Sequence, residues 1–210
     1  MLRIVAPYNL EVLNAVIYEY QSLFFPLQLL FFALALFALY WYWYQKSWTN
    51  QIVTSILALF WFWSGFVYLG IYYEQINWFG FYVSIIFCLQ AILLLWYGVI
   101  KQSLYFQKSL LSITVSLSVI ILLPLLQMFS GVGFYEVYVV GMLPLSTVAF
   151  SVGLSLSLSS KKVLHISLIP LLWSSFSLYW SYLLKNQFSV ILSSLCLLGV
   201  LWVVYRGFRR

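Results

Sequence analysis

Between Val139 and Leu184 two apolar stretches, Val139–Ser160 and Val163–Leu184, meet at a pair of lysines, Lys161-Lys162. Each arm is about 20 residues long, which at ~1.5 Å rise per residue crosses a hydrocarbon core of roughly 30 Å. Adjacent lysines do not enter that core. They hold the turn at one membrane surface, and the positive-inside bias assigns it to the cytoplasmic side. A chain built from such hairpins has lipid as its solvent. The composition agrees, since 65% of the 210 residues are hydrophobic and 7% charged, where a soluble domain carries about a quarter. A soluble chain of this length cannot hide so much apolar surface.

The order of elements follows from the same rule. Tyr8–Tyr20 spaces Leu10, Leu13, Val16, Ile17 and Tyr20 between polar Glu11, Asn14 and Glu19, which suits a short helix lying along the membrane surface. Residues 1–22 therefore read as an interfacial segment. Leu23–Tyr44 is the first expected span, with Pro26 in its opening turn and a closing belt of Tyr40-Trp41-Tyr42-Trp43-Tyr44. Gln51–Ile71, Phe79–Ile100 and Ser109–Phe129 follow. The fifth span begins at Val139, or at Pro144 as the first helical residue. Proline lacks the N–H and turns Leu143 away from helical angles, so the later start is expected, with Gly141–Leu143 irregular. Val163–Leu184 is the sixth span, with Pro170 inside it. Phe188–Tyr205 is the seventh, and residues 206–210 form a basic tail. No run alternates polar and apolar at period two, which argues against a β-barrel.

Charge sets the orientation. With seven spans, one set of loops holds Lys46, Lys101, Lys108, Lys161, Lys162, Arg206, Arg209 and Arg210. The other holds Arg3 and Lys185 with all four glutamates, Glu11, Glu19, Glu74 and Glu136. The first set is expected in the cytoplasm, placing the amino terminus outside and the carboxyl terminus inside a plasma membrane. The formal charge of +6 is scattered between apolar runs and forms no stripe, so nucleic acid is not an expected partner.

No span carries a charge near its centre, which argues against proton or sodium coupling. Serines recur at intervals of four, as in Ser151, Ser155 and Ser159, or Ser177 and Ser181; small residues so spaced let helices approach closely. His165 with Ser155 of Gly153-Leu154-Ser155 outlines a nucleophile and base, beside the plainer reading of a solvated interfacial histidine. Cys88 and Cys196 lie at similar depth in their spans, but two thiols are too few for a metal. The last span has no lysine, so a retinal pigment is ruled out, and no cofactor is expected. The candidate ligand site lies on the outer face. Glu19, Glu74 and Glu136 come from three loops, with Asn77 and Gln127 at about the same level, and converging carboxylates bind a cation or organic amine. Solvated loop residues obeying the charge rule are the alternative.

Several segments together are similar to a known family. Tyr20-Gln21, Phe25-Pro26-Leu27-Gln28, Gln75-Ile76-Asn77 and Phe87 to Gln90 resemble one half of an uncharacterised family of bacterial and archaeal polytopic membrane proteins, a domain of unknown function. Gly141-Met142-Leu143-Pro144-Leu145-Ser146-Thr147 with Phe150, Gly153-Leu154 and Ile169-Pro170-Leu171-Leu172-Trp173-Ser174 resemble the other half. The resemblance runs from about Tyr20 to the end. Where the family shows an asparagine after the tyrosine and a Pro-Cys-Pro-Thr-Thr run, this chain has Gln21 and Leu143-Pro144-Leu145-Ser146-Thr147. The absent cysteine speaks against thiol chemistry at that turn. Members are sometimes labelled permeases.

The sequence thus reads as an all-α membrane protein, with seven transmembrane helices over residues 23–205 after a short amphipathic segment. The leading functional expectation is transport, or assistance to transport, of a small neutral or cationic molecule. A structural or regulatory subunit is the alternative, and an intramembrane enzyme a third. The bilayer is one partner, and a membrane protein or a second copy of the chain another.

Overall fold

The computed structural model describes residues 8–160 and 162–209. Part of the expected interfacial segment with Arg3, Lys161 of the hinge and Arg210 of the tail lie outside the described residues. Helix α1 is Leu10–Leu23, capped by Asn9, whose Oδ1 accepts from the Val12 N–H at 2.9 Å. Then come α2 (Phe25–Tyr44), α3 (Thr49–Gln75), α4 (Phe79–Ile100), α5 (Leu110–Phe129), α6 (Pro144–Ser155), α7 (Val163–Leu183) and α8 (Gln187–Phe208). The carboxyl-terminal helix runs on through Arg206 and Gly207, which sequence reading assigned to a tail.

Six of these helices, α2 to α5 with α7 and α8, are long and apolar enough to cross a membrane. The fifth expected span differs. Its helix starts at Pro144, as the proline requires, and ends at Ser155 after 12 residues, about 18 Å at ~1.5 Å per residue. That is too short for a hydrocarbon core. Its flanks are extended or turning, and the whole stretch from Val140 to Leu154 is buried. The long helices therefore pack around a short helix whose ends stop inside the protein. Non-helical backbone at such depth is tolerated only where protein surrounds it. Here Gly141, at φ +83°, permits the turn, and a Cβ there would stand 2.2 Å from a Phe31 ring carbon. Its N–H donates to Thr147 Oγ1 at 3.0 Å, and Ser146 Oγ donates to the Val139 carbonyl at 2.7 Å.

Pro170 sits inside α7 and cannot bond the Ile166 carbonyl one turn back. Gln90 of α4 supplies the missing donor, its Nε2 reaching Ile166 O at 2.9 Å. The outward faces carry exposed Leu29, Phe32, Leu89, Ile92, Leu195 and Leu198, side chains that need lipid rather than water against them.

Hydrogen bonds tie the bundle at two ends of opposite character. At one, Tyr42 donates to Gln107 O at 2.6 Å and accepts from Ser109 N, and Arg206 Nη1 donates to Leu156 O at 2.6 Å. Phe106 and Leu158 form an antiparallel bridge there. This end bears Lys46, Lys101, Lys108, Lys162, Arg206 and Arg209. At the other, Gln21 Nε2 donates to Val137 O at 2.9 Å and Tyr20 donates to Met142 O at 3.2 Å, near Glu19 and Glu136. We call them the basic and the acidic end.

Candidate binding site

At the acidic end a cavity of about 80 Å³ opens between α1, α3, α6, α7 and α8. Three features of the chain build it. The first is the π-helical stretch Ser64–Tyr72 in α3, in which the Tyr73 N–H bonds the Tyr68 carbonyl five residues back. In a regular α-helix, residues five apart diverge by about 140°. The wider turn brings Tyr68 and Tyr73 to the same face, with ring centroids 6.2 Å apart and stacked. The second is the face of α7 made by Trp173, Phe176, Ser177, Trp180, Ser181 and Leu184, spaced three and four apart as one helical stripe requires. Phe176 stacks on Trp180 at 5.8 Å. The third is the start of α6, where Leu143, Pro144 and Leu145 form the floor. Its positive dipole end lies beneath the cavity.

Tyr8, just before α1, closes the top. Trp180 Nε1 donates to its hydroxyl, which in turn shares a hydrogen bond with the Tyr73 hydroxyl. Asn77 Nδ2 donates to the same Tyr73 oxygen at 3.2 Å. Tyr8 is 8% exposed. Burial, and then the neighbouring Tyr73, raises its phenol well above the ordinary range, so it stays protonated. On the far wall Tyr138 and Ser189 hydroxyls meet at 2.9 Å.

Hydrogen counting defines the chemistry. Tyr8 and Tyr73 bring two hydroxyl hydrogens, but only one lies between their oxygens, and both oxygens already accept from nitrogen. One O–H is left over to donate. Tyr68, 4% exposed and lining the cavity, has no hydrogen-bond partner for its hydroxyl among the described residues. The lining contains no charged side chain. The cavity therefore offers apolar rings and spare O–H donors.

Of the sequence-derived candidates, Asn77 joins this cluster. Its Oδ1 also accepts from the Phe79 N–H at 3.1 Å, which closes the turn between α3 and α4. Gln127 is spent on the backbone, its Oε1 accepting from Tyr138 N at 2.7 Å. Glu19 and Glu74 are exposed and Glu136 is half-buried, and none lines the cavity. Among the described residues no three acidic, histidine or cysteine side chains are placed to hold a metal ion. At the basic end His165 is exposed with its ring 5.9 Å from that of Tyr97. No hydrogen bond joins it to Ser155 among the described residues. Sequence reading gave no binding role to Tyr8, Tyr68, Tyr73 or Trp180. The available signal was the five-residue spacing of Tyr68 and Tyr73, which becomes a pair only in a π-turn.

A family model described as a family of unknown function, DUF6064, matches residues 10–210. No curated protein and no solved structure matches the chain.

Proposed function

We propose that this chain, which belongs to the DUF6064 family of unknown function, is a transport or transport-accessory protein for a small uncharged molecule. The supporting observation is the cavity at the acidic end, with its spare hydroxyl donors and uncharged lining. Such a lining suits a solute that accepts hydrogen bonds. It suits a cation poorly, because the lining holds no carboxylate to balance the charge and the positive end of α6 opposes it. An anion would enter without a counter-charge, at a large desolvation cost. At about 80 Å³ the space takes a solute of a few heavy atoms, since a benzene-sized ligand occupies a cavity of roughly 150 Å³.

The basic end faces the cytoplasm in this reading, because Lys and Arg near span ends are retained there. An impermeant thiol reagent on intact cells should label Glu74→Cys and spare Lys162→Cys; the reverse pattern would invert the orientation. Uptake is tested by stopped-flow light scattering on proteoliposomes with three solutes of similar size: ethanediol, ethanolammonium and glycolate. Ethanediol should enter faster than into protein-free vesicles, and the two ions should not. Equal ethanediol rates with and without protein would remove the transport reading.

A structural or regulatory subunit is the second reading, and one observation favours it. A groove of about 420 Å³ between α5, α6 and α8, lined by Thr114, Ala149, Leu192 and Gly199, has the small residues that admit a helix or an acyl chain.

A further inference from the structure

The face of α7 that lines the cavity does not end there. Below Ser177, one turn further in, lies Ser174, fully buried at 0% exposure, and its Oγ has no hydrogen-bond partner. Another turn inward is Pro170, and then the Ile166 carbonyl that Gln90 caps through Nε2. The other half of that carboxamide, Gln90 Oε1, is also buried and unpartnered, on a side chain 2% exposed. Trp173 Nε1, on a residue of the cavity wall, is a third orphan. Unpaired buried polar atoms in a native protein are few, and each costs free energy unless something meets it. From Ser177 to Ile166 these groups descend 11 residues of one helix, about 16 Å. Their chemistry also changes with depth, because the cavity offers spare O–H donors whereas Gln90 Oε1 only accepts.

We propose that the cavity continues inward along this face of α7 to an inner binding position at Ser174 and Gln90, and that the solute carries a hydroxyl group. A hydroxyl oxygen accepts from the cavity donors, and its hydrogen satisfies Gln90 Oε1 at the inner position. The proline break at residue 170 is what places an amide side chain there, since Gln90 is held by the carbonyl that Pro170 leaves free. The proposal rests on the cavity being the binding site, and its test separates the two.

Single cysteines at Ser177, Ser174 and Ser175 are introduced in a full-length Cys88→Ala/Cys196→Ala background and reconstituted in vesicles with methyl methanethiosulfonate, an uncharged reagent, on both sides. The reagent attacks thiolate, which forms only where water reaches the sulfur. Ser177→Cys and Ser174→Cys should react at least about tenfold faster than the lipid-facing Ser175→Cys, the deeper one more slowly. Reaction at Ser177→Cys with Ser174→Cys as slow as Ser175→Cys overturns the inward path and leaves the cavity standing. Silence at both overturns the cavity as well. Ethanediol should slow labelling at Ser177→Cys and Ser174→Cys, whereas acetone, which only accepts, should slow it at Ser177→Cys alone. Equal protection by acetone at Ser174→Cys overturns the hydroxyl requirement.

Discussion

The two ends of the bundle put the same aromatic side chains to opposite uses. At the basic end Trp41, Trp96, Trp43, Tyr97 and Tyr205 each carry a cation, Lys46, Lys101, Lys108, Lys162 and Arg209, between 4.5 and 5.9 Å from the ring centre. Such pairs suit a water–lipid boundary, where ring and ammonium can share the headgroup layer. At the acidic end Tyr8, Tyr68, Tyr73, Trp173 and Trp180 turn inward and enclose a space without any charge. What separates the two is the backbone beneath. The basic end has a π-turn too, at the Leu95–Ile100 end of α4, but beside it only one short bridge. The acidic end has a π-turn, a buried loop and a helix that begins in mid-protein, so rings that would face lipid are turned toward one another.

The largest effect is therefore expected where that backbone is least replaceable. Gly141→Ala places a Cβ 2.2 Å from Phe31 and 2.6 Å from Phe60 at a positive φ. It should cost more than about 3 kcal/mol and leave little monodisperse protein on gel filtration. Gly131→Ala is the control, with φ +86° but nothing within 4 Å. It should cost roughly 1 kcal/mol of backbone strain alone. Equal losses would mean that close packing at Gly141 does not hold the acidic end.

Next comes the repair at Pro170. Gln90→Leu strands the Ile166 carbonyl in an apolar interior and should destabilise by about 1–3 kcal/mol in thermal melts. Adding Pro170→Ala returns an N–H to that carbonyl and should recover most of the loss. Additive losses in the double variant would show that Gln90 is not serving the proline.

The basic end should be more forgiving. Tyr42→Phe removes the hydroxyl that joins Gln107 O and Ser109 N and should cost about 1 kcal/mol. Lys108→Ala, losing only the contact with the Trp43 ring at 5.0 Å, should cost less than about 1 kcal/mol. A Lys108 effect larger than that of Tyr42 would make the ring–cation pairs structural rather than interfacial.

The same contrast explains what the sequence disclosed. Basic-end pairs such as Trp41 with Lys46 or Trp96 with Lys101 are close in sequence, so the aromatic belt and its charges are visible in a single window. Lipid-facing helices are legible for the same reason, since length and hydropathy suffice. The start at Pro144 was readable from one residue. The early end at Ser155 was not, because Leu156, Ser157 and Leu158 are apolar or small like the helix before them, and tertiary hydrogen bonds take them out of it. Gln107 N donates to Ser157 O and Ser159 N to Tyr105 O. The cavity was least legible. Its Tyr8–Trp180 contact joins residues 172 apart, and sequence reasoning looked for charge, whereas the site is built from neutral hydroxyls. Asn77 was found because an amide beside a turn is conspicuous; its partner Tyr73 was not.

The claim that uncharged hydroxyls at the acidic end select the solute is tested most directly on Tyr68, whose free hydroxyl can be removed without breaking any bond within the protein. Saturation-transfer NMR would compare binding of ethanediol, ethanolammonium and glycolate by wild type and Tyr68→Phe. Ethanediol alone should bind the wild type. The variant should bind it about fivefold more weakly, the worth of one hydrogen bond of roughly 1 kcal/mol, with its melting temperature unchanged. Preferential binding of either ion, or ethanediol binding indifferent to Tyr68, would contradict the account.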